Sequence, residues 1–194
     1  MSLAKKIARN REKKAGTKIR KTTKRINRSE HDVRRAYIRQ NVEDTVTRLE
    51  AIQNVEAILL VAAHETFHFA KKRLDRLYAR MKSHFECIKS GYVTVEEICQ
   101  ILRDEAKMKI RDCRNPNVSH RHLIQYKVID ELSAAFLIGL LDEYGYKATL
   151  LHRVYSAAAE ISEKLDRHEI DIQDLENILE KEAKFNHERI LRYE

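Results

Sequence analysis

The sequence from Asn54 to Lys107, NVEAILLVAAHETFHFAKKRLDRLYARMKSHFECIKSGYVTVEEICQILRDEAK, recurs in divergent form from Glu131 to Lys184, ELSAAFLIGLLDEYGYKATLLHRVYSAAAEISEKLDRHEIDIQDLENILEKEAK. The two stretches align without a gap at a constant offset of 77 residues. An internal repeat of this kind predicts that one supersecondary unit is formed twice. The alignment is anchored by the aromatic turns Phe67-His68-Phe69 and Tyr144-Gly145-Tyr146 and by identical residues that include Ala57/Ala134, Leu60/Leu137, Arg76/Arg153, Tyr78/Tyr155, Glu86/Glu163, Ile101/Ile178, Leu102/Leu179 and the closing Glu-Ala-Lys.

The composition predicts that the repeated unit is helical. The chain has four Gly, one Pro and no Trp among 194 residues, and 35% of its residues are charged. Abundant Ala, Leu, Glu, Lys and Arg favour helices, and Gly and Pro interrupt them. We therefore predict an all-α fold with two tandem copies of a three-helix module, at residues 29–112 and 113–194, preceded by a basic arm at residues 1–28.

Start and stop signals give the expected helices. Ser29 can cap a long first helix that ends near Phe67, and Thr94 with Glu97 matches a capping box. We expect each middle helix to pack between the other two helices of its module, and the modules to meet about a pseudo-twofold axis or to pair with a second chain. In copy one, the remaining expected helices cover Lys71–Lys89 and residues 95–107. In copy two, the first expected helix is capped by Ser119 and breaks at Gly145, and it is followed by helices at residues 148–167 and 172–184.

The basic charge is concentrated at the N-terminus. Residues 1–39 contain fifteen Lys or Arg and three acidic residues, which gives this segment a net charge of +12. Because the whole chain has a net charge of +8, residues 40–194 carry −4. Apolar residues are too sparse before Arg28 to offset the conformational entropy of ordering, so we expect residues 1–28 on their own to be disordered or only transiently helical. Lys and Arg neutralise phosphates whatever the base sequence. The predicted binding residues of the arm are Arg9, Arg11, Lys13, Lys14, Lys18, Arg20, Lys21, Lys24, Arg25 and Arg28.

A second basic stripe occurs in the middle helix of copy one only. It consists of Lys71, Lys72, Arg73, Arg76 and Arg80. The matching residues of copy two are Ala148, Thr149, Leu150, Arg153 and Ala157, so most of the charge has been added to one copy. A feature present in one copy points to specialised function, although a solvated helix face is the competing interpretation.

The segment His64-Glu65-Thr66-Phe67-His68 matches the H-E-x-x-H zinc motif. On a helix, His64 and His68 would share a face and could hold Zn²⁺ while Glu65 acts as general base. Against this, no third ligand stands in a recognisable motif, and copy two keeps the aromatic residues but loses both histidines. We therefore predict no cofactor and no catalytic residues, with a zinc hydrolase as the alternative.

The chain shows no apolar run long enough to span a bilayer and no secretory leader, and its cysteines, Cys87, Cys99 and Cys113, form no Cys-x-x-Cys pair. These features predict a cytoplasmic protein with free thiols, no membrane association and a possible homodimer.

The stretch Val61–Ala106 resembles small helical proteins carried by bacteriophages of Gram-positive bacteria. In those proteins the turn tends to read H-[DE]-x-F-G-F-x-K-K-R-L, which His64, Phe67, Phe69 and Lys71-Lys72-Arg73-Leu74 match, while His68 stands where Gly is usual. In style, the basic N-terminus is also similar to that of type II anti-CRISPR proteins, which bind Cas9 or its guide RNA. The resemblance implies a non-catalytic phage-type protein that binds nucleic acid or a ribonucleoprotein, with inhibition of a host defence complex such as CRISPR-Cas9 as the most concrete expectation.

Overall fold

The computed structural model of the protein describes the backbone of residues 3–108 and 118–186, and within these ranges the side chains from His31 onward. Every regular element in these ranges is helical, which confirms the all-α prediction. The elements are α1 (Leu3–Phe67), α2 (Lys71–Lys89), α3 (Val95–Ala106), α4 (His120–Tyr144), α5 (Ala148–Asp166) and α6 (Ile172–Asn177), followed by a π-helical turn (Ile178–Glu182). None of the described helices is long and apolar enough to cross a membrane.

The first helix begins earlier than Ser29, where the sequence predicted it to start. α1 is continuous from Leu3, because its N-terminal part is rich in Ala, Lys and Arg and contains no Pro that would interrupt it. The predicted disorder of residues 1–28 is not confirmed by this assignment. The chain divides into two compact units, Met1–Thr45 and Val46–Glu194. The predicted boundary between the modules, after residue 112, lies outside the described residues.

Within the second unit the helices form two series with matching bounds. α1 and α4 end at Phe67 and Tyr144, and α2 and α5 cover Lys71–Lys89 and Ala148–Asp166. Each bound in the second series lies 77 residues after its counterpart in the first. α3 and α6 also begin 77 residues apart, but the second series replaces the end of the helix with the π-helical turn.

The turns between helices match as well as the helices do. The described residues with positive φ fall into three pairs, again 77 residues apart: His68 and Gly145 at 52° and 65°, Gly91 and His168 at 76° and 57°, and Lys107 and Lys184 at 58° and 54°. Only one residue of each of the first two pairs is glycine, the residue that adopts this conformation without steric cost. The three turns thus have the same backbone conformation in both series although the residue types differ.

Helices of the first series pack against a helix of the second. α2 and α3 both pack on α4, whereas the sequence analysis expected α2 to lie between helices of its own module. Gly139 of α4 lies against α2: a Cβ at this position would make ordinary van der Waals contact, 3.5 Å from Arg80 Cγ and 3.6 Å from the backbone nitrogen of Met81. Apolar periodicity predicts which face of α2 is buried, but it does not identify the helix that covers this face.

Four aromatic rings join the two series where α1 and α4 end. The ring centroids of Phe67 and Tyr146 are 4.7 Å apart, and those of Phe69 and Tyr144 are 4.8 Å apart. Exchanging the two series converts one of these contacts into the other, which is the arrangement a pseudo-twofold axis requires. Such tilted pairs stabilise a core beyond the burial of their area.

Candidate nucleic-acid interface

The predicted binding residues divide into those that the structure describes and those that it does not. The side chains of the arm, from Arg9 to Arg28, lie outside the described residues, and only their place in α1 is assigned. The five predicted binding residues of α2, Lys71, Lys72, Arg73, Arg76 and Arg80, are all described. The geometry of the site is therefore the geometry of α2.

The first turn of α2 presents three exposed cations, Lys71, Lys72 and Arg73. No carboxylate among the described residues pairs with any of them. The Arg73 guanidinium lies 5.4 Å from the centroid of the Phe69 ring, a cation–π contact that orients the side chain. The preceding Ala70 provides no side-chain cap, so the positive end of the helix dipole adds to the charge of the three side chains.

The next turns of α2 are electrostatically different. Arg76 Nη1 lies 3.6 Å from Glu143 Oε1, and Arg80 Nη2 lies 3.8 Å from Glu143 Oε2. Both arginine side chains remain about half exposed, so each pair contributes little to stability. The carboxylate nevertheless offsets part of the positive charge. The stripe predicted as one surface thus separates into two arginines that share Glu143 and three cations that no carboxylate of the described residues pairs with.

Further polar contacts fix α2 against α4. The Tyr144 hydroxyl donates a hydrogen bond of 2.8 Å to the carbonyl oxygen of Arg73. His84 Nε2 lies 3.0 Å from Asp142 Oδ2. Burial raises the pKa of Tyr144 above its ordinary value, with a further contribution from the neighbouring Glu143 carboxylate. The Tyr144 hydroxyl therefore remains a protonated donor at neutral pH, and it holds the first turn of α2 in place.

The corresponding positions in the second series lack this arrangement. The first turn of α5 contains Ala148, Thr149 and Leu150, and the residue that corresponds to Glu143 is Thr66. Arg153 is exposed, like its counterpart Arg76, but it has no acidic residue at the position equivalent to Glu143. The basic turn and its acidic neighbour are therefore both confined to one side of an otherwise repeated fold.

The two histidines of the zinc motif are not placed on one helical face. α1 ends at Phe67, one residue before His68, and His68 has a positive φ of 52°. His64 Nδ1 lies 2.8 Å from the carbonyl oxygen of Phe69, and its Nε2 lies 3.9 Å from Glu182 Oε2. Across residues 3–108 and 118–186, no group of three or more His, Cys, Asp or Glu is placed to hold a metal ion. The His64 ring thus supports the turn after α1 through its contact with the Phe69 carbonyl.

Sequence reasoning omitted three basic residues of α1 from the site. Arg34, Arg35 and Arg39 are all exposed, and Tyr37 beside them is 67% exposed. The charge count over residues 1–39 already contained these arginines, so the signal was present. They extend the basic segment beyond Arg28 to a part of α1 whose side chains are described.

Comparison with known proteins gives no assignment: no family model, no curated protein and no solved structure matches the chain.

Proposed function

We propose that the protein binds nucleic acid, or a nucleic-acid-containing complex, through the basic arm and the first turn of α2, and that it acts without catalysis. The observation that carries the proposal is the exposed set Lys71, Lys72 and Arg73, which has no carboxylate partner in the described chain and no charged counterpart in α5. Positive side chains without internal partners are the ones that can exchange counterions for phosphates.

The arm supplies most of the charge in this proposal. Its ten Lys and Arg residues from Arg9 to Arg28 can follow a phosphate backbone, and Arg34, Arg35 and Arg39 continue the same segment. Such contacts are independent of base sequence and strongly dependent on salt. Arg76 and Arg80 contribute less than Lys71, Lys72 and Arg73, because Glu143 already lies beside them.

We infer that the body is a tandem duplication in which the first turn of the middle helix is uncharged in one copy and has become the binding turn in the other. The matched helix bounds and the three matched pairs of positive φ support this inference. In this arrangement α5 is an internal control for α2: it has the same fold and the same uncapped start without the three cations.

In the phage-type setting that the sequence resembles, the most concrete form of the proposal is an inhibitor of a host defence ribonucleoprotein such as CRISPR-Cas9 in the bacterial cytoplasm. The arm and the basic turn would occupy a groove that normally holds RNA or DNA. A general nucleic-acid accessory protein is the neighbouring possibility, and competition with assembly of Cas9 and its guide RNA separates the two.

The alternative of a zinc hydrolase using His64, Glu65 and His68 has no geometric support. His68 follows the end of α1, and His64 Nδ1 is within hydrogen-bonding distance of the Phe69 carbonyl. Stoichiometric zinc in the purified protein, lost in the His64→Ala/His68→Ala variant, would reverse this judgement.

The experiment that tests the proposal is binding of a labelled guide-like RNA and of a duplex DNA across a salt series. The proteins are the full chain, a chain beginning at Ser29, and the triple variant Lys71→Ala/Lys72→Ala/Arg73→Ala. Truncation should remove most of the affinity and several units of the salt slope, and the triple variant should lower the duplex slope by roughly 0.9 per lost contact.

The matched control removes three exposed cations elsewhere on the body, in the variant Arg103→Ala/Lys164→Ala/Lys181→Ala. It has the same net charge as the α2 triple variant and should retain the wild-type slope. If the full chain binds neither probe, or if the truncated chain binds as well as the full chain, the role of the arm is wrong. Equal losses in the two triple variants would show that only net charge matters.

A further inference from the structure

Arg73 differs from the other two cations in the first turn of α2 because contacts hold both its backbone and its side chain. Its guanidinium lies 5.4 Å from the centroid of the Phe69 ring. The centroids of the Phe69 and Tyr144 rings are 4.8 Å apart, and the Tyr144 hydroxyl donates a hydrogen bond of 2.8 Å to the carbonyl oxygen of Arg73 itself. The three residues therefore form a closed circuit that begins and ends at Arg73.

The circuit is anchored in the core and leaves the guanidinium accessible. Phe69 is fully buried and Tyr144 is partly buried, whereas Arg73 is exposed. A guanidinium carries five N–H donors in a fixed planar arrangement, and a cation–π contact leaves these donors available to oxygen acceptors. The donors of Arg73 are thus held in place before any ligand binds.

We propose that Arg73 is the anchoring contact of the basic surface: its guanidinium binds one backbone phosphate of a nucleic acid through two parallel N–H···O hydrogen bonds, and Tyr144 is its positioning residue. This inference rests on the proposed function and assigns a ligand group to one of its residues. A guanidinium matches two phosphate oxygens at once, whereas a lysine ammonium acts as a point charge. Holding the side chain in place beforehand reduces the entropy that is lost on binding.

The other predicted binding residues of α2 lack one or more of these properties. Lys71 and Lys72 are exposed, and no described residue forms an ion pair or a hydrogen bond with either side chain. They attract phosphates without fixing where one binds. Arg76 and Arg80 have guanidinium groups, but these lie 3.6 and 3.8 Å from a glutamate carboxylate. Among the five residues, Arg73 combines a guanidinium held on an aromatic ring with the absence of a carboxylate partner in the described chain.

The second series contains the ring pair of the circuit without its polar groups. The ring centroids of the equivalent pair, Phe67 and Tyr146, are 4.7 Å apart. Phe67 stands at the equivalent of Tyr144 and has no hydroxyl, and Leu150 stands at the equivalent of Arg73. The aromatic contact therefore belongs to the shared fold, whereas the hydroxyl and the guanidinium occur together only beside the three cations.

The test uses variants of the full chain that preserve charge, so that affinity can change while the salt slope does not. The probe that the wild type binds more tightly, the guide-like RNA or the duplex DNA, is titrated across the salt series. Arg73→Lys should weaken binding about tenfold, because the charge is retained and the fixed fork is lost. Its salt slope should change by much less than the roughly 0.7–0.9 that loss of one phosphate contact produces. The control Arg76→Lys, the same substitution on the same helix, should stay within about twofold of the wild type.

Tyr144→Phe tests the positioning role, because it keeps the ring on Phe69 and removes only the hydroxyl. It should weaken binding about threefold at an unchanged salt slope. The control Tyr146→Phe removes a hydroxyl from the same aromatic cluster that is not the donor to Arg73, and it should bind like the wild type. If the Tyr144 hydroxyl acts through the guanidinium, the double variant Arg73→Lys/Tyr144→Phe should lose no more affinity than Arg73→Lys alone.

Three outcomes would overturn the inference. Equal affinities of Arg73→Lys and Arg76→Lys would exclude an anchoring role for Arg73, and losses that multiply in the double variant would exclude the positioning role of Tyr144. A phosphate contact gives Arg73→Lys the same loss on a version of the probe without guanine, whereas a smaller loss there would show that Arg73 binds guanine edges instead.

The salt slope separates this inference from the proposed function. The proposed function stands, and only the role of Arg73 fails, if the truncated chain and the α2 triple variant lower the slope while Arg73→Lys binds like the wild type. If the full chain binds neither probe, the proposed function fails and the inference fails with it.

Discussion

The two helical series share a backbone and differ in their polar surfaces. At the junction of α2 with α4, Arg76 and Arg80 share Glu143, His84 pairs with Asp142, and Tyr144 donates to the Arg73 carbonyl. The equivalent residues in the other series include Thr66, Ile161 and Phe67, which cannot form these contacts. The buried apolar positions and turn conformations therefore match between the two series, whereas the charged side chains do not.

The largest expected difference between the series concerns the aromatic cluster. Phe69 is fully buried, whereas its counterpart Tyr146 is only partly buried. Phe69→Ala should lower the free energy of unfolding by about 3–5 kcal/mol, and Tyr146→Ala by roughly half as much, because less area is lost and the cavity opens to solvent. Urea unfolding followed by circular dichroism measures both values.

Leu74 and Leu151 are the control for that comparison. They are identical, equivalent and fully buried, so Leu74→Ala and Leu151→Ala should each cost about 2–5 kcal/mol and resemble each other. A large difference between these two variants would mean that the matched backbones carry unequal cores.

The capping boxes provide a second comparison, with a smaller effect. Glu97 N donates to Thr94 Oγ1 at 3.2 Å, and Asp174 N donates to Asp171 Oδ1 at 2.9 Å. Thr94→Ala and Asp171→Ala should each destabilise the protein by about 1 kcal/mol in urea unfolding. Ser119→Ala should cost less, because its cap bond to His122 N is 3.4 Å long. An Asp171→Ala variant as stable as wild type would show that α6 needs no cap.

The Thr94 box also predicts a dependence on pH. The backbone N–H and the hydroxyl of Thr94 both donate to Glu97, and they hold the pKa of this carboxyl below its ordinary value of 4.5. A depressed pKa stabilises the fold above the ordinary value, and this contribution is lost as the pH falls through the folded-state pKa. Wild type should therefore exceed Glu97→Gln in stability at neutral pH, and the gap should shrink below pH 4.5. A gap that is constant with pH would contradict this assignment.

Glu143 allows the binding surfaces to be compared directly. Glu143→Gln removes the charge beside Arg76 and Arg80 and should strengthen binding to duplex DNA about threefold, with little change in stability. Glu160→Gln, at an exposed position of α5, makes the same change in net charge and is the control. Titration of duplex DNA with each variant at one salt concentration measures the two changes in affinity. Equal gains in affinity would assign the effect to net charge.

Much of this architecture follows from local sequence signals. The bounds of α2, the start of α3 after Thr94 and the cap at Ser119 all agree with prediction, because each depends on neighbouring residues. The packing of α2 and α3 on α4 was not predictable, since periodicity identifies a buried face without its partner. Of the candidate site, the charges of α2 were evident from the sequence, whereas the position of Glu143 beside Arg76 and Arg80 depends on that long-range packing.

The smallest effect we expect is at the turn after the long helices, where the series contain His68 and Gly145. Both residues adopt positive φ, at 52° and 65°, and a Cβ at Gly145 would have no heavy atom within 4 Å. The left-handed conformation costs a residue with a side chain roughly 1–2 kcal/mol, and the flexibility of glycine in the unfolded chain offsets part of its advantage. His68→Gly should therefore stabilise the protein by about 0.5 kcal/mol and Gly145→His should destabilise it by a similar amount. Thermal and urea unfolding of both variants would measure the shifts. Opposite signs of similar size are expected if backbone conformation alone decides the outcome; destabilisation by His68→Gly would instead show that the imidazole of His68 makes a stabilising contribution to the first series that the second has lost.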